Sequence, residues 1–249
     1  MIIVVTNTPN LFDNKDQLLG IGLYTTREAA RYARIPSAVM LSRWVHGTGR
    51  KAPVMRPQLR GDAEKTVTFL DFAQAMAIRA IRVQEHSRIP LQKIRDAIAW
   101  LGDKHGVEYP LARRHKIIVF GDELWIDLED FPTKESEGQF ALTTGHRGKD
   151  QTMIREVSEL FLKDMDFHEG GLASSYKLYH SNGSVIAMTP SVNFGQPMMA
   201  CGYSLDAVLD AYRNEGSTEA ASQAYGIDPS DIELALACND YLGLPVAAA

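Results

Sequence analysis

Residues 24–47, YTTREAARYARIPSAVMLSRWVHG, decide how the rest of the chain is read. They have the form of two short helices joined by a tight turn. Thr25 or Thr26 can cap the first helix, because a hydroxyl accepts an orphan backbone N–H of the first turn. Ala29, Ala30 and Ala33 give that helix a small, smooth face for a second helix to approach. Ile35 and Pro36 end it, since the residue before a proline avoids the helical region. Ser37 then caps a second helix, with Val39, Met40, Trp44 and Val45 expected on its buried side and Gly47 as its stop.

A helix-turn-helix reads DNA by laying its second helix in the major groove. The cations on this unit are Arg27, Arg31, Arg34 and Arg43. On these residues alone an ordinary helical hairpin with solvated arginines fits equally well, and the choice depends on what surrounds the pair.

Charge supplies that context. The 249 residues carry a net charge of −5, which by itself argues against a DNA binder. The average hides a split: residues 24–120 hold 18 Lys and Arg against 8 Asp and Glu, a net of +10, and the remainder holds 8 against 23, a net of −15. A basic module beside an acidic remainder is the footprint expected when one part meets phosphates and the other meets something else.

The basic stretch continues past the helix pair. Pro53 and Pro57 forbid a helix over the next segment, Gly61-Asp62 marks a turn, and 67–69 reads as a short returning strand. Such a hairpin beside a recognition helix is a wing, and its cations Arg50, Lys51, Arg56 and Arg60 would reach flanking phosphates. A surface loop remains the alternative for any one of them. Phe69, Phe72, Met76, Ala80 and Val83 then mark one stripe of a helix over 69–88. Leu91, Ile94, Ile98 and Leu101 mark another, starting at Pro90 and ending at Gly102. Arg79, Arg82, Arg88, Lys93 and Arg95 fall on outer faces, where most cations are merely solvated. Residues 116–128 alternate as a hairpin about Gly121-Asp122.

Ahead of this region, 2–6 is a candidate strand. Behind it, 129–148 is rich in Lys, Glu, Ser, Gly and Thr and marks a boundary. A helix is expected over 152–165, and a hairpin at 176–189 turning on Asn182-Gly183. Three helices follow, capped by Ser204, by Ser217 or Thr218, and by Asp228 with Pro229 at the first position. Ile232, Leu236 and Leu242 are expected on the core edge of the last. The final two again have helix-turn-helix form, but this copy is acidic and has no arginine, which argues for packing, dimerisation or partner binding.

Motifs for catalysis are missing. None of the seven histidines has a second histidine four residues away with a glutamate between, and the chain has neither GxxxxGK[ST] nor GxSxG. Two cysteines without a CxxC pair argue against a zinc site or disulfide framework and for a reducing cytoplasm. The apolar start lacks a basic leader, and no apolar run approaches membrane-spanning length. No cofactor or metal is expected.

TTREAARYARIPSAVMLSRWV followed by VTFLDFAQAMAIRAIRVQEHSRIPLQKIRDAIAWL resembles a MerR-like DNA-binding domain. NFGQPMMACGYSLDAVLDAYRNEGSTEAASQAYGIDPSDIELALA is similar to a small family of helical domains in bacterial VapB-type antitoxins. Together, over roughly 24–245, the two resemble a large VapB antitoxin. Two departures stand out: IPSAVMLSRW is one residue longer than the usual MerR pattern, and the segment after FGQP lacks a basic residue often found there. The resemblance implies an α+β, mainly helical chain. Its parts would be an arm (1–23), a MerR-like winged helix-turn-helix with β-hairpins (24–128), a linker and helix (129–172), and a hairpin with a three-helix module (173–245). It implies operator double-stranded DNA as one partner, touched by Thr26, Arg27, Arg31, Ser37, Ser42 and Arg43, with Arg50, Lys51, Arg56 and Arg60 on phosphates. The other partner would be a PIN-like toxin ribonuclease, and a homodimer would match a palindromic site. A ligand-sensing transcription regulator and a pure interaction scaffold are the alternatives.

Overall fold

The computed structural model describes residues 23–59, 65–83, 89–120, 123–127, 140–142, 155–156, 159–169 and 171–243. The strand expected at 2–6, Arg60, the turn at Gly61-Asp62 and most of 129–148 lie outside them.

Thr25 is the residue that starts the first helix. Its hydroxyl accepts from the Glu28 N–H, and the Glu28 carboxylate accepts from the Thr25 N–H, a reciprocal cap. The helix α1 spans Thr26–Tyr32. It ends one turn before Pro36, on Arg34 in the left-handed region (φ 51°), with the Ile35 N–H returning to the Ala30 carbonyl. Ser37 caps α2, Ala38–Val45. The buried side of α2 is Leu41, Trp44 and Val45, while Val39 and Met40 are exposed. This corrects the expectation that Val39 and Met40 face inward: α1 packs along the 41–44–45 stripe, and residues 39 and 40 project from another part of the helix surface.

The expected returning strand at 67–69 is a single bridge, Val67 to Tyr24. Helix α3, Phe69–Val83, begins directly behind it. Thr68 and Asp71 explain the early start: the Thr68 hydroxyl accepts from the Asp71 N–H, and the Asp71 carboxylate accepts from the N–H groups of Thr68 and Gln58. Helix α4 runs Leu91–His105 with Pro90 as its cap and Gly106 in the left-handed region at its end. Phe69, Phe72, Met76 and Ala80 of α3 and Ile94, Ile98 and Leu101 of α4 are buried, as the stripes read from the sequence predict, and Leu91 is half-buried.

Two four-stranded antiparallel sheets follow, so the chain is α+β. The first orders β3 (Phe140–Leu142), β2 (Glu123–Asp127), β1 (Ile117–Phe120) and β4 (Arg155–Glu156). Its central register pairs Ile117 with Ile126 and Val119 with Leu124, so the alternating apolar residues share a buried face. The second orders β5 (Met165–Phe167), β6 (Ala173–Ser181), β7 (Ser184–Met188) and β8 (Met198–Met199). Asn182 and Gly183 both take positive φ at the β6–β7 turn, as a tight hairpin requires.

The helix expected over 152–165 is reduced to α5, Glu159–Leu162. Residues 155–156 pair with β1, and 165–167 pair with β6. Sheet edges on both sides recruit the segment, and the helical stripe has little to gain: Phe161 is buried but Leu160 is 53% exposed.

Helices α6 (Leu205–Glu215), α7 (Thr218–Tyr225) and α8 (Pro229–Tyr241) close the chain, capped by Ser204, Ser217 and Asp228 as the sequence predicts. In α8 the fully buried positions include Ile232, Ala235 and Cys238, while Leu236 is only half-buried. One hydrophobic cluster runs from Leu23 to Leu242. Phe72 of α3 sits near its middle, 5.7 Å from the ring of Tyr24 and 5.7 Å from that of Tyr176.

Candidate nucleic-acid interface

Two features of the chain shape a groove beside α2. Gly47, with φ 74°, allows a reversal in which the Thr48 N–H donates to the Lys51 carbonyl at 2.8 Å. A β-carbon at Gly47 would lie 2.6 Å from that carbonyl oxygen, so the turn needs glycine. The turn carries Arg50 and Lys51, both exposed, alongside α2. The segment is then bound back to α2, as the Val54 N–H donates to the Trp44 carbonyl at 2.7 Å.

The groove of about 750 Å³ opens between α2, this turn, the C-terminal part of α3 and the start of α4. Its apolar lining includes Val39, Met40, Trp44, Val54 and Leu91. Its charged lining is Arg43, Arg50, Lys51, Arg79, Arg82 and Arg95, with no carboxylate among the described lining residues. Six cations around one concavity give a local positive potential that the chain's negative total does not reveal.

Two of these cations also brace the walls. Arg95 donates from Nε to the Pro53 carbonyl at 2.8 Å and from Nη2 to the Ala52 carbonyl at 3.1 Å. Arg82 donates to the Ile89 carbonyl at 3.0 Å, across the gap between α3 and α4. Each bond to a neutral carbonyl leaves the positive charge uncancelled. Burial and the nearby Arg34 charge lower the pKa of Arg79.

Four of the residues picked out by sequence meet in this groove: Ser37, Arg43, Arg50 and Lys51. The other five that are described stand elsewhere. Thr26 donates its hydroxyl to the Lys65 carbonyl at 2.8 Å. Arg27 is exposed on α1. Arg31 turns to the C-terminal helices, donating to Asp206 at 3.1 Å and to Asn239 at 3.4 Å. Ser42 is half-buried on α2, and Arg56 pairs with Asp103 at 2.6 Å. Conversely, Arg79, Arg82 and Arg95, expected on outer faces, line the groove. Arg79 and Arg82 are three residues apart on one helix, so the sequence did place them on a common face. What it could not show is that this face meets α2.

Ser37 has a double position. Its hydroxyl accepts from the Met40 N–H at 3.1 Å and caps α2, and the same residue lines the groove. It can still donate its own proton outward.

The chain bears similarity to proteins of known sequence or structure. No family model matches it. It is 26% identical over 234 residues, covering 87% of this chain and 93% of the relative, to a protein of Mycobacterium tuberculosis (strain ATCC 25618 / H37Rv) named "Putative antitoxin VapB45". Its fold is similar to the crystal structure of Rv2018 from Mycobacterium tuberculosis, with a TM-score of 0.57 and 22% identity over 87% of this chain and 98% of that one. At that identity the likeness shows the fold alone. Among the described residues no helix is long and apolar enough to cross a membrane.

Proposed function

We propose that this chain is an antitoxin that binds operator double-stranded DNA through α2 and the groove beside it, and that also captures a PIN-like ribonuclease. The observation that carries the DNA half is the groove: six cations, no carboxylate among the described lining residues, and an adjoining helix whose exposed positions include its cap Ser37, Val39, Met40 and Arg43. In this reading α2 enters the major groove. Arg43 reads a base edge, the two exposed apolar residues meet thymine methyl groups, and Arg50 and Lys51 hold the flanking backbone. Arg31 and Arg56 are left out of that set, since each already has a carboxylate partner within the chain.

The toxin half is supported by the name of the relative and by charge. Residues 173–243 hold two Lys and Arg, Lys177 and Arg213, against eight Asp and Glu. Both cations are paired within the chain, with Asp166 and Asp210. Such a surface suits the basic face that a ribonuclease needs for its substrate. In this reading the chain is not an enzyme, and it acts by covering the nuclease and its own operator in the cytoplasm, as a homodimer.

A mobility shift on the DNA upstream of the gene tests the first half. The wild type retards that fragment at lower concentration than an unrelated duplex, and Arg43→Ala abolishes the preference. An equal affinity for both fragments would overturn the operator reading. Co-purification with a PIN-domain ribonuclease encoded beside the gene tests the second half, and loss of the pair on raising salt is the expected behaviour. A complex indifferent to salt would count against charge pairing.

A further inference from the structure

The geometry points to a small-molecule site for an adenine nucleoside in a second cavity, where two unmet carboxamides converge. The cavity lies between residues 56–58, α3, the C-terminal half of α4 and the loop 106–110. It shares no described lining residue with the groove beside α2, so it stands apart from the DNA and toxin readings.

The first observation is Gln74. It is 1% exposed on α3, between neighbours Ala73, Ala75, Met76 and Ala77 that are all buried. A side-chain amide this deep normally has both ends bonded. Here Nε2 has only the Met55 sulfur, at 3.9 Å, and no donor among the described residues reaches Oε1. Turning the amide over leaves one end unmet all the same. An unmet buried amide destabilises a fold, and a leucine of similar shape would not.

The second observation is what Gln74 borders. It lines a cavity of about 360 Å³, and small-molecule sites run from about 300 to 1,000 Å³. Gln58 lines the same cavity and is half-buried, and its Oε1 is also without a donor among the described residues. The Gln58 N–H donates to the buried Asp71 carboxylate at 3.4 Å, which ties residue 58 to α3. The third observation is Tyr109, on the cavity wall. It takes a left-handed conformation, φ 49° and ψ 53°, where a bulky residue is an outlier. Strain held in place by surrounding structure gathers at ligand clamps.

The ligand class follows from the chemistry of the lining. A carboxamide presents a donor and an acceptor side by side. The adenine edge matches it, since the 6-amino group donates and N7 accepts. The faces of such a base are flat and apolar, and buried Ile98 and the ring of Tyr109 supply apolar wall.

The test is isothermal titration calorimetry on the full chain with adenosine, with purine riboside, which lacks the 6-amino group, and with guanosine. Adenosine is expected to bind, and purine riboside at least tenfold more weakly, the discrimination of one bidentate amide contact. At roughly ten times its dissociation constant, adenosine raises the melting temperature of the wild type by about 3 °C. Gln74→Leu is expected to lower adenosine affinity at least tenfold while its own melting temperature without ligand is unchanged or raised, which a merely structural glutamine would reverse. Gln58→Ala, a change at a half-buried position, lowers the affinity about as much. Arg43→Ala, in the other groove, leaves it as it is. A wild type that gives no heat with adenosine overturns the inference, and the two amides are then met by water alone. Guanosine or purine riboside bound as tightly as adenosine overturns the assignment of the base. Gln58→Ala and Gln74→Leu that both bind adenosine like the wild type overturn the assignment of the cavity.

Discussion

The Tyr24 hydroxyl donates a 2.9 Å hydrogen bond to the Gly195 carbonyl, 171 residues further along the chain. A β-carbon at Gly195 would lie 2.4 Å from that same hydroxyl oxygen. This buried contact fastens the residue before the cap of α1 to the turn that leads into β8 and α6, so it joins the basic and acidic halves of the molecule. Gly195→Ala is expected to destabilise the fold by about 2–4 kcal/mol, through the collision and the positive φ of 83°. Tyr24→Phe costs about 1–2 kcal/mol, mainly by leaving the carbonyl without its donor. The double variant loses less than the two singles together, because removal of the hydroxyl makes room for the methyl group. Urea unfolding of the four proteins measures the coupling, and strict additivity would contradict the geometry.

Asp71 gives a pH signature. Burial, only partly offset by its bonds from Thr68 and Gln58, raises its pKa to about 6. In the unfolded chain the group titrates near its ordinary value, about 4. Between these values the native state binds the extra proton, so this group's contribution to stability falls as pH rises. Below about pH 4 its full contribution is present, and above about pH 6 it is lost. The change is on the order of 3 kcal/mol across that window at 1.36 kcal/mol per pKa unit. Asp71→Asn removes this part of the pH dependence. Melting curves at pH 4.5 and 7.5 check it, and a difference as large in the variant as in the wild type would rule the assignment out.

Local rules and apolar periodicity carried much of the architecture. The caps at Thr25, Ser37, Ser204, Ser217 and Asp228 were legible because each is a short-range bond between a side chain and the next turn. The Asn182-Gly183 turn was legible for the same reason. The failures share one cause, the distant surface. Val39 and Met40 look like core residues until the packing of α1 fixes which side of α2 is covered. The helical reading of 152–165 takes in 155–156 and ends at Met165, but the open edges of two sheets claim 155–156 and 165–167. Arg31 looks like its neighbour Arg27, yet Asp206 and Asn239 reach it from the far end of the sequence. The groove lies between segments about 40 residues apart, so sequence spacing gave no hint that Arg79, Arg82 and Arg95 would join Arg43.

Ser37 separates the stability of α2 from DNA binding. Ser37→Ala removes the acceptor of the Met40 N–H and is expected to cost about 1 kcal/mol. Ser37→Asp keeps an N-cap acceptor and improves the charge at the helix start, so the melting temperature is held or raised. The same substitution puts a carboxylate among six groove cations, where DNA phosphates would have to approach it. Its duplex affinity is expected to fall at least tenfold, by analogy with the one to a few kcal/mol lost when a charge contact is reversed. An aspartate variant that melts normally and binds DNA normally would remove Ser37 from the interface.

Arg31 and Arg43 differ in what they face, and the difference predicts opposite phenotypes. Arg31 is tied to Asp206 on α6 and Asn239 on α8, with its side chain 19% exposed and that of Asp206 51% exposed. The Asp206 end is well solvated, so the ion pair itself is worth only about 0–1 kcal/mol. Truncation also removes packing of the arginine stem and a partner of the buried Asn239, bringing the expected loss for Arg31→Ala to about 1–2 kcal/mol. Duplex affinity changes less than about threefold, since the side chain points away from the groove. Arg43 is exposed on α2 and lines the groove. Arg43→Ala is expected to leave stability within about 0.5 kcal/mol. Its duplex affinity falls by about 1–3 kcal/mol, with the loss concentrated on the preferred sequence. Paired measurements of melting and anisotropy on the two variants decide the matter. A stable Arg31→Ala that fails to bind the duplex, beside an Arg43→Ala that binds it fully, would move the DNA-reading surface from α2 to α1.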